Sequence, residues 1–190
     1  MTIPGVVQIL VFFGLILLVT KPLGAYMARV FGGERTLFAP VLRPVERLLY
    51  RLFRVDEQQD MRWTTYGLAM LAFSVVGGLF TYALLRMQGW LPLNPQHFTG
   101  TQMTPDLSFT AAMSFMTNTN WQSYSPETTV SYFSNMVALA AHNWMSAATG
   151  IAVAIAIVRG FARHSAQGLG NFWVDMTRAT LYVLLPLVPC

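Results

Sequence analysis

Thr117-Asn118-Thr119-Asn120 is a run of four small side chains, each with a hydroxyl or amide oxygen, inside a polar strip from Thr104 to Tyr132. From Leu107 to Pro126 that strip has no charged residue. It lies between two segments apolar enough to cross a bilayer, and non-helical backbone at membrane depth is tolerated only where it is buried in protein or lines water. The chemistry open to such a run is ion coordination, with the backbone carbonyls of Thr117 to Asn120 replacing the water around a dehydrated monovalent cation. No carboxylate lies among them, which disfavours a divalent site built on charge. Trp121 is expected to wedge the loop against surrounding helices. Gln122 and Ser123 are expected to hydrogen-bond its backbone and hold the carbonyls inward. The competing reading of the same residues is a plain polar loop that joins two helices outside the membrane.

The element that must aim this loop precedes it. Thr104-Pro105-Asp106 reads as a helix start, with threonine as N-cap, proline at the first helical position and an acid near the positive dipole end. A short helix through about Met116 follows. If it dips toward the bilayer centre, its partial negative end favours a cation just beyond Phe115 and Met116.

Composition sets the solvent. Hydrophobic residues make up 54% of the chain, charged residues 11%, and the mean hydropathy is +0.47, against about 25% charged residues in soluble domains. The sequence pI near 9.6 could suggest nucleic acid, but the basic residues form no solvated patch and the chain is too apolar for that class, so no nucleic-acid partner is expected. Cys190 is the one cysteine, so neither a disulfide framework nor a Cys/His metal spacing is expected.

Against the roughly 20 apolar residues needed to cross a bilayer, the pattern predicts an all-α membrane protein with four unequal segments. The first, about 3–31, is one long tilted helix rather than a secretory signal, since no charge precedes Lys21. The second runs from about Trp63 to Leu85. The third, Val137 to Val158, is stopped by Arg159 and carries Ala148, Ala152 and Ala156 at a spacing that lets another helix approach. The fourth begins near Phe172 and holds too few apolar positions to span, so the chain reads as cut inside a helix.

Residues 21–62 hold eight of the twelve basic residues and residues 87–158 hold none, which puts 32–62 in the cytoplasm and the polar strip outside. The N-terminus is then extracytoplasmic, and the loop around 159–171, with Arg159 and Arg163, is inside again. Arg86 alone runs against the pattern. Within 32–62, apolar residues from Val41 to Phe53 recur at helical spacing opposite Arg43, Glu46, Arg47, Arg51 and Arg54. That is an amphipathic basic helix with Pro44 in its first turn, read as a membrane-surface anchor or as a docking face for a cytoplasmic partner. Asp56 to Asp60 reads as a solvated linker.

The stretch TNTNWQSYSPETTVSYFSNM (117–136) resembles the first selectivity-filter repeat of the KdpA family, the potassium-binding subunits of bacterial Kdp potassium-transporting ATPases. GGERT (32–36), VLRPVERLLYRL (41–52), AATG followed by IAVAIAIVR (147–159), and GLGNFWVDMTRATLYVLLP (168–186) resemble it too. The resemblance implies a potassium-channel-like fold of repeats, each a helix, a pore loop and a second helix. On it, 3–31 is an extra N-terminal helix, 32–62 a cytoplasmic loop, 63–158 the first complete repeat and 159–190 a cytoplasmic loop opening a second. Three further filter loops of the longer family chain are missing, which reads as a fragment or a truncated product.

The resemblance further implies a multi-pass protein of the bacterial inner membrane that binds extracytoplasmic K⁺ through the backbone oxygens of Thr117, Asn118, Thr119 and Asn120, with Trp121, Gln122 and Ser123 as support. It passes the ion to the P-type subunit KdpB, which hydrolyses ATP, in a complex completed by KdpC and KdpF. K⁺ is the transported ion and no organic cofactor is implied. The chain has no Walker motif and no P-type phosphorylation sequence, in keeping with a non-enzymatic subunit. It departs from an ordinary potassium-channel filter in having no glycine between Thr117 and Gln122.

His142 and Asn143, inside the third segment, make interhelical hydrogen bonds or line an inner vestibule. Met113, Met116, Met136 and Met145 read as packing residues. Two other functions stay open: a homotetrameric cation channel closed by rotational symmetry, and a membrane scaffold with no ion path.

Overall fold

The computed structural model describes residues 3–162 and 168–187; Arg163 and Cys190 lie outside them. All regular structure among the described residues is helical. Helix α1 (Ile3–Phe31) is continuous through Pro22, and at 1.5 Å per residue its 29 residues reach about 43 Å, so it must tilt in a hydrocarbon layer of about 30 Å. Its apolar window buries nothing against the rest of the chain. Only its end does, through Val30 and Phe31 and the Tyr26 hydroxyl, which donates to the Tyr182 carbonyl at 2.6 Å.

Helix α2 (Ala39–Phe53) starts two residues before the Val41 at which the periodic pattern begins. Pro40 takes the first-turn position and Pro44 sits inside the helix, where its missing N–H costs one intrahelical bond. The face turned to the protein is polar: Glu46 is buried and accepts from Tyr50, Tyr182 and Arg178. Val41, Leu48, Leu52 and Phe53 are exposed, which leaves an apolar face open at the end of a membrane-length helix.

Helices α3 (Trp63–Arg86) and α5 (Ser134–Ala162) are, with α1, the three long enough and apolar enough to cross a membrane. The chain is an all-α membrane protein. α5 opens in a π-helical turn, Ser134–Ala140, and runs past Arg159 by three residues, so that arginine does not stop the helix. Arg159 instead grips Asp175 with two bonds, 2.5 and 2.9 Å, and donates to the carbonyls of Phe31 and Leu169 at 3.1 Å. Helix α6 starts at Phe172, where the Asn171 side chain accepts from Trp173 N–H at 3.1 Å, and continues through π-helical Ala179–Leu184 into Leu185–Leu187. The Arg159–Asp175 pair persists in a largely buried place because both partners are fully engaged.

Around that pair is the larger core. Ala148, Ala152 and Ala156 are buried, as their spacing predicts, and Phe172 packs edge-on against Tyr66 and Trp173 at 5.6 and 5.1 Å between ring centres. Burying one such phenylalanine stabilises by about 2–3 kcal/mol. The acidic linker is exposed along 56–60, as expected, and is also tied down. Glu57 pairs with Arg178, Asn171 donates to the Asp56 carbonyl, and Met61 and Leu169–Gly170 exchange backbone bonds of 2.8 and 2.9 Å.

Candidate functional site

Helix α4 (Pro105–Met116) carries the polar loop and lies against α3. Gly78 of α3 makes the close approach: a Cβ there would stand 3.0 Å from Met116 Sδ and 3.2 Å from Met113 Cε. Neighbouring Gly77 gives His142 of α5 the same room, a Cβ falling 3.0 Å from its ring. Met113 and Met116 are thus packing residues, whereas Met136 and Met145 are exposed.

Pro105 occupies the first helical position as predicted, but the Thr104 side chain makes no capping bond to the helix. The acid replaces it. A hydrogen bond from the Thr104 hydroxyl, joined by the backbone N–H groups of Asp106 and Leu107, holds the Asp106 carboxyl below the usual carboxylate range. The ends of the strip are fixed by α3 and the turn after it. Arg86 donates to the carbonyls of Gly100 and Met103, so this out-of-pattern arginine is used as a cross-link. Fully buried Gln88 donates to the Thr99 and Thr129 carbonyls at 2.7 and 2.9 Å and accepts from Ser131 N–H at 3.1 Å. One side chain therefore joins the segment before α4 to the segment after the loop.

The loop itself turns back on the end of α4. Thr117 N–H donates to Met113 O at 3.0 Å, Asn118 N–H to Phe115 O at 3.2 Å, and Thr119 and Asn120 N–H to Ser114 O at 3.0 and 3.2 Å. Trp121 N–H donates to Ser114 Oγ. Five successive N–H groups thus point one way, and among the described residues the carbonyls of Thr117 to Asn120 accept no hydrogen bond. All four residues are exposed in this chain, so these carbonyls open outward rather than into its core, and beside a helix C-terminus four adjacent free acceptors form a local concentration of negative potential.

Backbone handedness explains the alignment. Thr117 has φ −88° and ψ 4°, Asn118 φ +58° and Asn120 φ +54°, while Thr119 keeps a negative φ. Left-handed Asn118 and Asn120 alternate with residues of negative φ, an arrangement that gathers successive N–H groups on one side. Glycine is the usual occupant of the left-handed region, and asparagine is among the residues that tolerate it best. The lack of glycine in this loop is met by the two asparagines of TNTN.

Side chains lock that shape to α5. Asn118 Oδ1 accepts from Ser146 Oγ at 3.2 Å, and Asn120 Nδ2 donates to Asn143 Oδ1 at 2.9 Å. The Thr117 and Thr119 hydroxyls are 3.1 Å apart. His142 turns away from the loop, its Nδ1 2.6 Å from Thr81 Oγ1 in a buried interhelical contact. Of the two residues singled out in this helix, one therefore joins helices and the other holds the loop.

The expected support residues behave differently. Trp121 is 57% exposed and is not buried against a helix among the described residues. Gln122 and Ser123 are exposed and make no hydrogen bond to the 117–120 backbone among the described residues. Their expected part falls to Ser114, buried one turn before the loop, whose carbonyl and hydroxyl together take three of the five N–H groups. Ser114 and Ser146 were not legible as site residues, because only tertiary contact distinguishes them from other small residues of an apolar helix.

Comparison with known proteins gives this geometry a context. The family model described as "Potassium-transporting ATPase A subunit" matches residues 10–189. A potassium-transporting ATPase potassium-binding subunit of Solibacter usitatus is 58% identical over 187 residues, 98% of this chain and 33% of that protein. Its counterpart in Koribacter versatilis is 59% identical over 186 residues, 98% of this chain and 31% of that protein. One from Ralstonia nicotianae is 58% identical over 180 residues, 95% of this chain and 30% of that protein. The chain thus spans about a third of the length of the curated relatives it matches.

Proposed function

The chain belongs to the KdpA family of potassium-transporting ATPase A subunits, and from that premise we propose that residues 117–120 supply one arc of a potassium selectivity filter. Carbonyl oxygens of Thr117, Asn118, Thr119 and Asn120 replace hydration water around K⁺, and the rest of the oxygen ring comes from loops equivalent to this one. The observation that carries the reading is the set of four adjacent carbonyls with no hydrogen-bond donor among the described residues, while the N–H groups of residues 117–121 are all taken by the end of α4. α4 adds its C-terminal dipole at the point where a cation would sit.

In this reading 3–31 is an accessory membrane helix, 63–158 is a channel-like repeat and α6 opens the next. α6 has no role in a minimal two-helix channel, yet it is anchored by Asp175 and Phe172, which supports several repeats in one subunit over four copies of a short one. The ion enters from the extracytoplasmic side of the bacterial inner membrane, with the N-terminus on that side. It then passes to KdpB, the ATP-hydrolysing P-type partner, alongside KdpC and KdpF.

The test is Ser114→Ala in the full-length subunit within its transport complex. Losing the Oγ acceptor strands the Trp121 N–H at a cost of about 1–3 kcal/mol. Half-saturating K⁺ for uptake should rise by about tenfold. An apparent affinity within twofold of wild type, at equal amounts of assembled protein, would refute the filter assignment.

A further inference from the structure

Beyond the ion path, α2 and the turn before it form an open cleft of about 420 Å³ lined by Arg35, Thr36, Pro40, Arg43, Pro44 and Arg47. The three guanidinium groups make no hydrogen bond or ion pair among the described residues. The acid of α2, Glu46, shares a neighbouring cavity with Arg43 and Thr36, but its oxygens are taken by Arg178, Tyr50 and Tyr182. Nothing in the lining neutralises the arginines. The Thr36 hydroxyl oxygen is buried without a partner among the described residues. Three unpaired arginines and an unused hydroxyl, with no carboxylate in the lining itself, suit a phosphate, which planar guanidinium groups bind in bidentate fashion.

The surroundings say which phosphate. The cleft lies just beyond the C-terminal end of α1, a membrane-length helix, where the chain meets the membrane–water interface. Leu37 and Val41 beside it are 85% and 74% exposed, and Leu48, Leu52 and Phe53 continue that apolar surface along α2. A soluble anion needs no such surface, whereas a lipid needs both a headgroup cradle and an apolar bed for its chains.

We propose that Arg35, Arg43 and Arg47 with Thr36 form a binding site for the phosphate of an anionic phospholipid, whose acyl chains lie along Leu37 and Val41. The site fixes α2 to the bilayer surface and is independent of the loop at 117–120.

The test is native mass spectrometry of the whole chain in neutral detergent, with phosphatidylglycerol and phosphatidylcholine as probes. Wild type should retain phosphatidylglycerol roughly tenfold better than phosphatidylcholine. The triple variant Arg35→Gln, Arg43→Gln, Arg47→Gln should lose that preference with its helix content unchanged. A control, Arg51→Gln with Arg54→Gln, alters two exposed arginines of the same region outside the cleft and should keep the preference. The site is overturned if the triple variant retains phosphatidylglycerol like wild type, or if the control loses it to the same degree. Displacement of the lipid by millimolar inorganic phosphate would equally overturn it, marking the cleft as a soluble-anion site.

Discussion

Replacing Asn118 by alanine and by glycine separates backbone from side chain in the loop. Asn118 has φ +58° and its Oδ1 takes a 3.2 Å bond from Ser146. Alanine loses that bond, worth about 0.5 kcal/mol at this length and exposure, and must hold the left-handed region at a cost of about 1–2 kcal/mol. The sum, about 2 kcal/mol, corresponds to a roughly thirtyfold loss of apparent K⁺ affinity. Glycine loses the same bond but adopts positive φ at no steric cost, so it should weaken affinity by only about twofold. The assay is the K⁺ dependence of uptake by the full-length protein in cells lacking other potassium uptake, normalised to the amount of assembled complex. The reasoning rests on carbonyls aligned by backbone handedness. Equal losses in the two variants, or a larger loss with glycine, would transfer the coordinating role to the Asn118 side chain and refute it.

Two further outcomes concern the scaffold. Thr81→Ala and His142→Ala each strand one partner of the buried 2.6 Å contact and should each cost about 1–3 kcal/mol; thermal unfolding of the double variant should show coupling of at least about 0.5 kcal/mol, and strict additivity would contradict the pairing. Asp175→Asn leaves Arg159 buried without its counter-charge, a loss of about 3–5 kcal/mol. Size-exclusion profiles in detergent should then show little monodisperse protein, and a wild-type profile would contradict the structural role given to this pair.

Much of this was legible because it depends on single-residue rules. Length and hydropathy fix α1, α3 and α5, Pro105 marks the start of α4, and Ala148, Ala152 and Ala156 announce a protein-facing stripe. Pro44 misled because Pro40 is equally able to open a helix and the tie is broken by burial of Glu46 and Tyr50, which no local pattern reports. The partners of Arg86, Glu57 and Arg159 were hidden for a related reason. Charges read one at a time look like interface or linker residues, whereas each is satisfied by a partner distant in sequence. In the loop, TNTN was visible as oxygen-rich, but the left-handed backbone at Asn118 and Asn120 is held by Ser114, Asn143 and Ser146, which lie on another turn and another helix.

The most direct measurement is the anomalous scattering of thallium(I), a potassium mimic, bound to the full-length subunit in its complex. The account predicts a peak in contact with carbonyl oxygens of Thr117 to Asn120, removed by competing K⁺ and not by Na⁺. A peak coordinated by side-chain oxygens alone, or thallium bound elsewhere while these carbonyls face only bulk water, would contradict it.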